Sequence, residues 1–556
     1  MSVQAPFADE MAGKTDSPSW PFNLAGVVSV GLLYGLVYAS MRLALSHNLP
    51  QDDVTSNVFT QTLEPGYVLK QPPLYEWLLW SVQRFTGPTL PSFLILKYGL
   101  LTATFALLYL VAKRIFADQR WAALAALSPL LLYHIGWNLH EGVTQTMALI
   151  CAVAATMWSF MRLVERGRAF DYVLFGAIAG LGLLSKYSFA GFLVVLLGSA
   201  LLQPALRERL LDWRVLLSAG AAALVTAPFV YWLIEGSHDL VAFYGSAMAP
   251  MAETDRLKAT LIGLGKAIYA PLAFLFPLDL IVLLVFPRAL REGWTEIKLA
   301  VRPQTFSVSE PDWRLLLLHI TIGGFLLLMI GALSTGATHY LERYMHPFFL
   351  LTALWLVGLV EKSGNPARRL AVLGTILLAV TLIVMPVRLR DALHAMGPEC
   401  RKCRIAVPYE GLAAALQARG FHDGTLIAAD RHDAGNLRHF FPQVRIVRVE
   451  RPAYAPPMRA ADLASKVAVV WRKGSDRRLP KEAQSEFEKV AGGMAVTPER
   501  VRVPWQPFPP GSAGRVWDWV IVVADPKQGS GNLFLGYRTV MAIGQRILAK
   551  LQRLTA

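Results

Sequence analysis

Leu49-Pro-Gln-Asp-Asp-Val54, followed by Pro65-Gly-Tyr-Val-Leu-Lys-Gln-Pro-Pro73, is the stretch on which the reading of this chain turns. Two adjacent acids, a Pro-Gly turn, a lysine and a double proline follow one long apolar run and precede a train of others. Ionisable groups are costly to hold in or beside a bilayer and tend to mark function there. The acid pair therefore reads either as a solvated helix start or as part of a reaction centre.

The surrounding composition sets the class. Of 556 residues, 54% are hydrophobic and only 17% charged, with a mean hydropathy of +0.41. That apolar share exceeds the soluble norm, and it is gathered in runs long enough for helical spans of roughly 20 residues. The chain reads as a polytopic α-helical membrane protein. A formal charge of +15 raises the question of nucleic acid, but no basic-aromatic module of the base-stacking kind is present. The Lys and Arg residues gather instead in connections between apolar runs.

Those runs fall at 21–45, 94–116, 121–135, 142–161, 172–185, 189–203, 214–235, 260–286, 314–334, 345–360 and 370–386, giving about eleven spans. Alternate connections are basic: Lys113, Arg114 and Arg120; Arg162, Arg166 and Arg168; Arg207, Arg209 and Arg214. Arg288, Arg291, Lys298 and Arg302 continue the series, followed by Lys362, Arg368 and Arg369. Basic loops stay cytoplasmic. The polar tail 1–20 is then cytoplasmic, and the chain after Pro386 lies on the outer side. Segments 172–185 and 189–203 are short, joined by Ser185-Lys-Tyr-Ser188, and a re-entrant hairpin is the alternative to two spans.

Residues 21–386 thus form a membrane domain whose first outer loop, 46–93, is long. From Leu74 onward Trp77, Leu78, Ser81, Val82 and Phe85 share one helical face, suiting an amphipathic helix at the membrane surface. Asp52 and Asp53 fit the first turn of a similar helix, where carboxylates meet its positive end. Residues 387–526 change to the composition of a soluble α/β domain. Its strands are expected at 424–429, 444–449, 466–471 and 517–523, with a helix over 409–419. Residues 527–556 make a basic amphipathic helix, either interfacial or a twelfth span.

On this topology the polar clusters share the outer side: Asp52, Asp53 and Lys70; His140 and Glu141; Lys186; His238 and Asp239; His339, Glu342, Arg343 and Tyr344. A carboxylate beside an acceptor hydroxyl can take its proton as the hydroxyl attacks. Lys70, Lys186 and Arg343 are candidates to hold an anion such as a phosphate, or else to snorkel toward the interface. Tyr344 fits either a phosphate hydrogen bond or an aromatic belt. Glu141, opening a span, suits a helix dipole as well as a site. Cys400-Arg-Lys-Cys403, in an oxidising compartment, suits a disulfide. No His/Cys/acid spacing reaches the pattern of a zinc site, and no nucleotide-binding fingerprint stands in a strand–loop–helix setting. No cofactor is demanded, although the residues leave a divalent cation open. A donor used on the outer side is one that a membrane carries.

Three patches are similar to a known group. They are Asp52-Asp53 with Gly66-Tyr67 and Pro72-Pro73-Leu74; Gly180-Leu-Gly-Leu-Leu-Ser-Lys-Tyr187; and Arg343-Tyr-Met-His-Pro347. In order and spacing they resemble the lipid-linked-sugar glycosyltransferases of the GT-C fold, within the protein O-mannosyltransferase and aminoarabinose transferase superfamily. The resemblance covers roughly residues 20–360. It implies that Asp52 is the catalytic base, with Asp53 standing where a Glu is usual. Basic residues then hold the polyprenyl phosphate, and Tyr67, His140, Glu141 and His339 are candidates for sugar contacts. Gln71 stands where that group usually has Lys or His, and Lys70 comes one residue earlier. Thr55 or Asn57 stands where some relatives place a positive residue.

The expectation is an inner-membrane, inverting glycosyltransferase with its site and C-terminal domain in the periplasm. Its partners would be a polyprenyl-phosphate sugar, an envelope acceptor such as lipopolysaccharide or lipid A, and the bilayer. A protein hydroxyl is the second acceptor class. A flippase for lipid-linked sugars is the competing class, and it would call for inverted repeats with matching broken helices. Only one short pair of segments is found. Sugar, acceptor and oligomeric state are not written in the residues.

Overall fold

The structure, a computed structural model, describes residues 20–142, 144–236, 243, 255–301, 310–396, 404–459, 462, 465–472, 479–491, 496–505 and 516–525. The tail 1–19, His238 and Asp239, Cys400 and Cys403, and the helix expected over 527–556 lie outside these residues.

Seven helices among the described residues are long and apolar enough to cross a membrane. They are Leu24–Leu45 (α1), Leu90–Ala112, Gln145–Arg166, Val215–Glu235, Arg256–Leu275, Trp313–Thr335 and Pro366–His394. Each falls on one of the eleven expected segments. The other four segments form shorter elements. Ala169–Ser185 and Ser188–Leu201 are single apolar helices. The segment 121–135 divides into Gln119–Leu127, a 3-10 turn and Tyr133–Gly136, and 345–360 divides into His346–Phe349 and Thr352–Lys362. Pro129 accounts for the end of Gln119–Leu127, since proline lacks the N–H that a continuing helix needs, whereas Pro347 stands in the first turn of His346–Phe349, where proline is tolerated.

By contact the chain forms two compact units. The first is 1–37, 98–139 and 145–384; the second is 38–97, 140–144 and 385–556. In the first, small residues let helices approach closely, as is usual between membrane helices. A methyl on Gly180 would stand 3.1 Å from Ala222 Cα, where Ala169–Ser185 meets Val215–Glu235. A buried Asp171 accepts from Arg162 at 2.6 Å. Leu224, Ile234, Leu382 and Ile383 are exposed, as lipid-facing side chains should be.

The second unit holds a five-stranded sheet in the order β2-β1-β3-β5-β4. Its strands are β1 Thr425–Ala428, β2 Arg445–Arg448, β3 Val467–Arg472, β4 Glu499–Pro504 and β5 Val516–Ala524. β1 runs parallel to β2 and β3, while β5 lies antiparallel between β3 and β4. Alternation sorts the core. Leu426, Ile446, Ala468, Val470, Trp519 and Ile521 face helices Tyr409–Ala418 and Arg431–Phe440. Ile427, Val447, Val469, Val520 and Val522 pack with Phe487 and Val490 of helix Lys481–Ala491. Four strands and one helix match the expectation; β4 and helices Arg431–Phe440 and Lys481–Ala491 are additions.

Contact divides the chain along other lines than composition does. The first loop groups with the C-terminal segment, and Val58 of that loop lies within the core formed by one face of the sheet. The loop carries two helices, Asp53–Phe59 (α2) and Leu74–Thr86 (α3); the span Leu90–Ala112 that follows is α4. α3 buries a mixed face: Leu74, Tyr75 and Leu79 go inward together with Glu76 and Gln83, whereas Phe85 is 91% exposed. Hydrogen bonds satisfy the two buried polar groups: Ser56 Oγ donates to Glu76 at 3.0 Å and Thr60 Oγ1 to Gln83 at 2.8 Å. Trp77, Leu78 and Val82, on the face expected at the membrane surface, are half-buried.

Candidate functional site

The acid pair sits where α2 begins, with Asp52 as the N-cap and Asp53 as the first helical residue. Its backbone carbonyl already serves the helix, accepting from Thr55 N at 3.0 Å and Ser56 N at 3.1 Å. Its side chain makes no capping bond, and the residue is exposed. The plain capping role that a Pro-Gln-Asp-Asp start suggests is thus not the use of this carboxylate.

Asp53 differs sharply from its neighbour. It is 1% exposed, and its Oδ1 has no hydrogen-bond partner. Burial pushes its carboxyl up from 3.8 to about 6, against the opposing pull of the Lys97 ammonium and, less strongly, Arg42. Lys97, buried on α4, also lies within electrostatic reach of Glu141 and Arg388. Arg388 Nη2 reaches Glu141 Oε1 at 2.9 Å, and the His140 ring stacks on Tyr38 with centroids 3.6 Å apart. Gly142 completes this corner. Its φ is +44°, and a methyl there would touch Gln51 Cβ at 3.4 Å and Asp52 N at 3.6 Å.

Lys97, Arg42 and Arg388 escaped the sequence reading. A signal existed for Lys97, a lone lysine in the apolar run Leu90–Ala112, because such a residue is by default a site candidate. Arg42 donates to the carbonyls of Ser46 and Asn48, tying the end of α1 to the start of the acid loop.

Two other loop candidates have different surroundings. Tyr67 is buried; its hydroxyl donates to Thr62 O at 2.8 Å and accepts from Glu64 N at 3.2 Å, and its ring stacks on Phe59. It pins the loop. Lys70 is exposed in the tight turn where Val68 bridges to Gln71.

The remaining candidates gather in the first unit. Lys186 occupies the break between Ala169–Ser185 and Ser188–Leu201, with extended backbone. Its ammonium lies 3.3 Å from Thr146 Oγ1 and 5.4 Å from the centre of the Tyr344 ring. The Arg343 guanidinium lies 5.3 Å from the same ring. Both cations thus lie within cation–π range of one tyrosine ring, and two cations beside one ring suit an anion. His339, exposed, has its ring 6.4 Å from Tyr344. His134 and His346, with centroids 5.7 Å apart, back the group; His346 Nδ1 is 2.8 Å from Arg343 O, and His134 Nε2 is 3.7 Å from Glu342. Sequence reasoning passed over both histidines because each sits in an apolar run. Among the described residues no group of three or more His, Cys, Asp or Glu could hold a metal ion.

Comparison with known proteins agrees with this architecture. Residues 70–232 match the family described as dolichyl-phosphate-mannose-protein mannosyltransferase. The chain is 27% identical over 88% of its length to lipopolysaccharide core galacturonosyltransferase RgtB of Rhizobium johnstonii, covering 94% of that protein. It is 28% identical over 84% of its length to RgtA of the same organism, also a lipopolysaccharide core galacturonosyltransferase, covering 92% of it. The fold is similar to that of ArnT from Cupriavidus metallidurans, solved bound to undecaprenyl phosphate, with a TM-score of 0.51 and 14% identity. That likeness covers 90% of this chain and 97% of the other. The solved-structure likeness shows the fold of the GT-C membrane glycosyltransferases: a multi-pass helical membrane protein with a C-terminal sheet domain. Within that class the chain is related to the ArnT, protein mannosyltransferase and lipopolysaccharide glycosyltransferase group.

Proposed function

We propose that the protein moves a sugar from a polyprenyl-phosphate donor to a hydroxyl of a periplasmic envelope glycoconjugate, lipopolysaccharide core or lipid A, with inversion at the anomeric carbon. The observation that carries this reading is the division within the acid pair. Asp52 is exposed and makes no capping bond, while Asp53 beside it is buried near Lys97.

The acceptor oxygen attacks the anomeric carbon and gives its proton to Asp52. The bond from that carbon to the phosphate oxygen breaks, and polyprenyl phosphate leaves. Lys186 and Arg343, beside Tyr344, hold the departing anion, and the exposed Lys70 assists. Phosphate is a good leaving group, so positioning and charge stabilisation supply much of the catalysis. His140, Glu141 and His339 remain candidates for sugar contacts. No metal is given a step.

The relatives' names direct the first assay to polyprenyl-phosphate galacturonate and a lipopolysaccharide core acceptor. The family matched at residues 70–232 supports a second reading, with a protein serine or threonine as acceptor. The basic alternation of the loops supports an inner-membrane location with the acid loop and C-terminal domain periplasmic. In this arrangement the four shorter segments complete the eleven crossings.

The test is transfer in vesicles. Asp52→Asn should reach the membrane in normal amount and lose transfer by a factor of about 100 or more, the range of a general base. Near-normal transfer would remove Asp52 as the base. Movement of the lipid donor without cleavage would instead indicate a flippase.

A further inference from the structure

The first part of the acid loop, residues 46–61, is fastened to the C-terminal domain, and the bonds bracket the acids. Ser46 Oγ donates to Ile405 O at 2.5 Å, and Asn48 Nδ2 donates to Ile405 O at 2.9 Å and Val407 O at 2.7 Å. Leu49 N donates to Asn436 Oδ1 at 2.7 Å. Beyond the acids, Asn57 Nδ2 donates to Gly435 O at 2.8 Å. Arg438, buried, donates to the carbonyl of Asn57, and at 2.8 Å to both Thr60 O and Thr60 Oγ1. Gln61 then pairs with both backbone groups of Ile446 on the edge strand β2, at 3.1 Å and 2.9 Å.

The partners on one side come mainly from a single helix, Arg431–Phe440, whose Gly435 lies against the backbone of Val54. Neither Asp52 nor Asp53 spends its side chain on these bonds. The backbone is held on both sides of the acids, and Asp52 is left exposed.

We infer that the helix Arg431–Phe440 is a positioning element for catalysis, with Asn436 and Arg438 setting the place of the Asp52 carboxylate through the backbone of α2. The C-terminal domain, read from sequence as a separate module, thereby becomes part of the catalytic apparatus without touching substrate. This inference rests on the reading of Asp52 as the base. Buried polar networks rigidify the backbone they join, here at Leu49, Asn57 and Thr60, and holding a catalytic group to within a fraction of an ångström requires such rigidity.

The experiment uses the full-length protein in lipid nanodiscs. Asn436→Leu removes the acceptor for Leu49 N, whereas Asn436→Asp keeps it. Amide hydrogen exchange and steady-state kinetics are read together. In Asn436→Leu the amides of 49–57 should exchange about tenfold faster, those of β1 and β3 should not change, and kcat should fall about tenfold with the donor KM within about twofold. Asn436→Asp should recover most of kcat. Wild-type exchange over 49–57 in Asn436→Leu, or a loss shared equally by the sheet and by donor KM, overturns the inference. If Asn436→Leu does not accumulate, Asn57→Ala deletes the bond to Gly435 from the other partner, with the same expectations. Asp52→Asn is assayed alongside. Full turnover in that variant removes the base assignment, whereas loosened exchange in Asn436→Leu would still show the clamp.

Discussion

Gly435→Ala is the most direct physical probe of how the acids are held. A methyl at this position would stand 2.6 Å from both Val54 Cα and Val54 Cβ, with the Val54 carbonyl oxygen closer still. Ordinary contact begins near 3.4 Å, so one backbone must retreat by about 1 Å to admit the methyl. No side-chain rotation relieves this clash, because backbone atoms meet it. Val54 is the second residue of α2 and follows the acid pair directly, so the displacement passes to Asp52. Misplacement on the order of 1 Å can lower turnover about 100-fold, and overpacking of this size costs roughly 1–3 kcal/mol of stability. The assay is kcat and donor KM on full-length protein in vesicles, with the unfolding midpoint measured in detergent. Gly374→Ala, where a methyl meets nothing within 4 Å, is the control and should match wild type. Wild-type kcat in folded Gly435→Ala would refute the reasoning, since α2 would then tolerate the shift or carry no catalytic group.

Three further outcomes follow from other sites. Burial raises Asp53 from 3.8 to about 6, so its contribution to stability is complete below about pH 4 and lost as pH rises past 6, roughly 3 kcal/mol in all. The unfolding midpoint of wild type should therefore fall across that window relative to Asp53→Asn, and parallel curves would refute the burial argument. Gly142→Ala places a side chain at φ +44°, at a cost of about 1 kcal/mol; kcat should drop several-fold through the neighbouring Asp52 while the donor KM holds, and an unchanged kcat would separate this turn from the acid. For Lys186→Ala, the dissociation constant for polyprenyl phosphate should rise about tenfold, the worth of one charged hydrogen bond; an unchanged constant would remove Lys186 from the phosphate site.

Helix existence was readable because a span needs a run of apolar residues, and composition records that need directly. All seven long helices coincide with runs found from the sequence. Helix integrity was less readable. Pro129 ends one run in a 3-10 turn, and the run at 345–360 divides at Leu350 and Leu351, which carry no local breaking residue. The four strands found from the sequence were legible as short continuous apolar runs, because both faces of the sheet are covered. β4, Glu499–Pro504, alternates Arg500 and Arg502 with Val501 and Val503 as an edge strand does, and the sequence reading missed it beside the Pro-rich stretch 504–510.

Residue type, the loop-charge topology and the family resemblance together picked out Asp52, Asp53, Lys186, Arg343 and Tyr344 as candidates. The sequence could not rank the two acids by environment. Only the packed structure buries Asp53 near Lys97 and leaves Asp52 exposed, because Lys97 comes from α4, the span at the far end of the acid loop. It likewise could not show that α3 buries Glu76 and Gln83 beside Tyr75 and Leu79, since their partners Ser56 and Thr60 lie on and just after α2.

The sequence by itself determined the class: a multi-pass helical protein with a soluble C-terminal domain and a charged loop after its first span. Those properties follow from local composition and periodicity, which each segment carries alone. Tertiary structure decided what the loop belongs to. Leu49, Asn57 and Thr60 meet Asn436, Gly435 and Arg438 across more than 370 residues of chain. A hydrogen bond between such distant partners leaves no periodic trace in either segment, so it becomes visible only once the chain is folded.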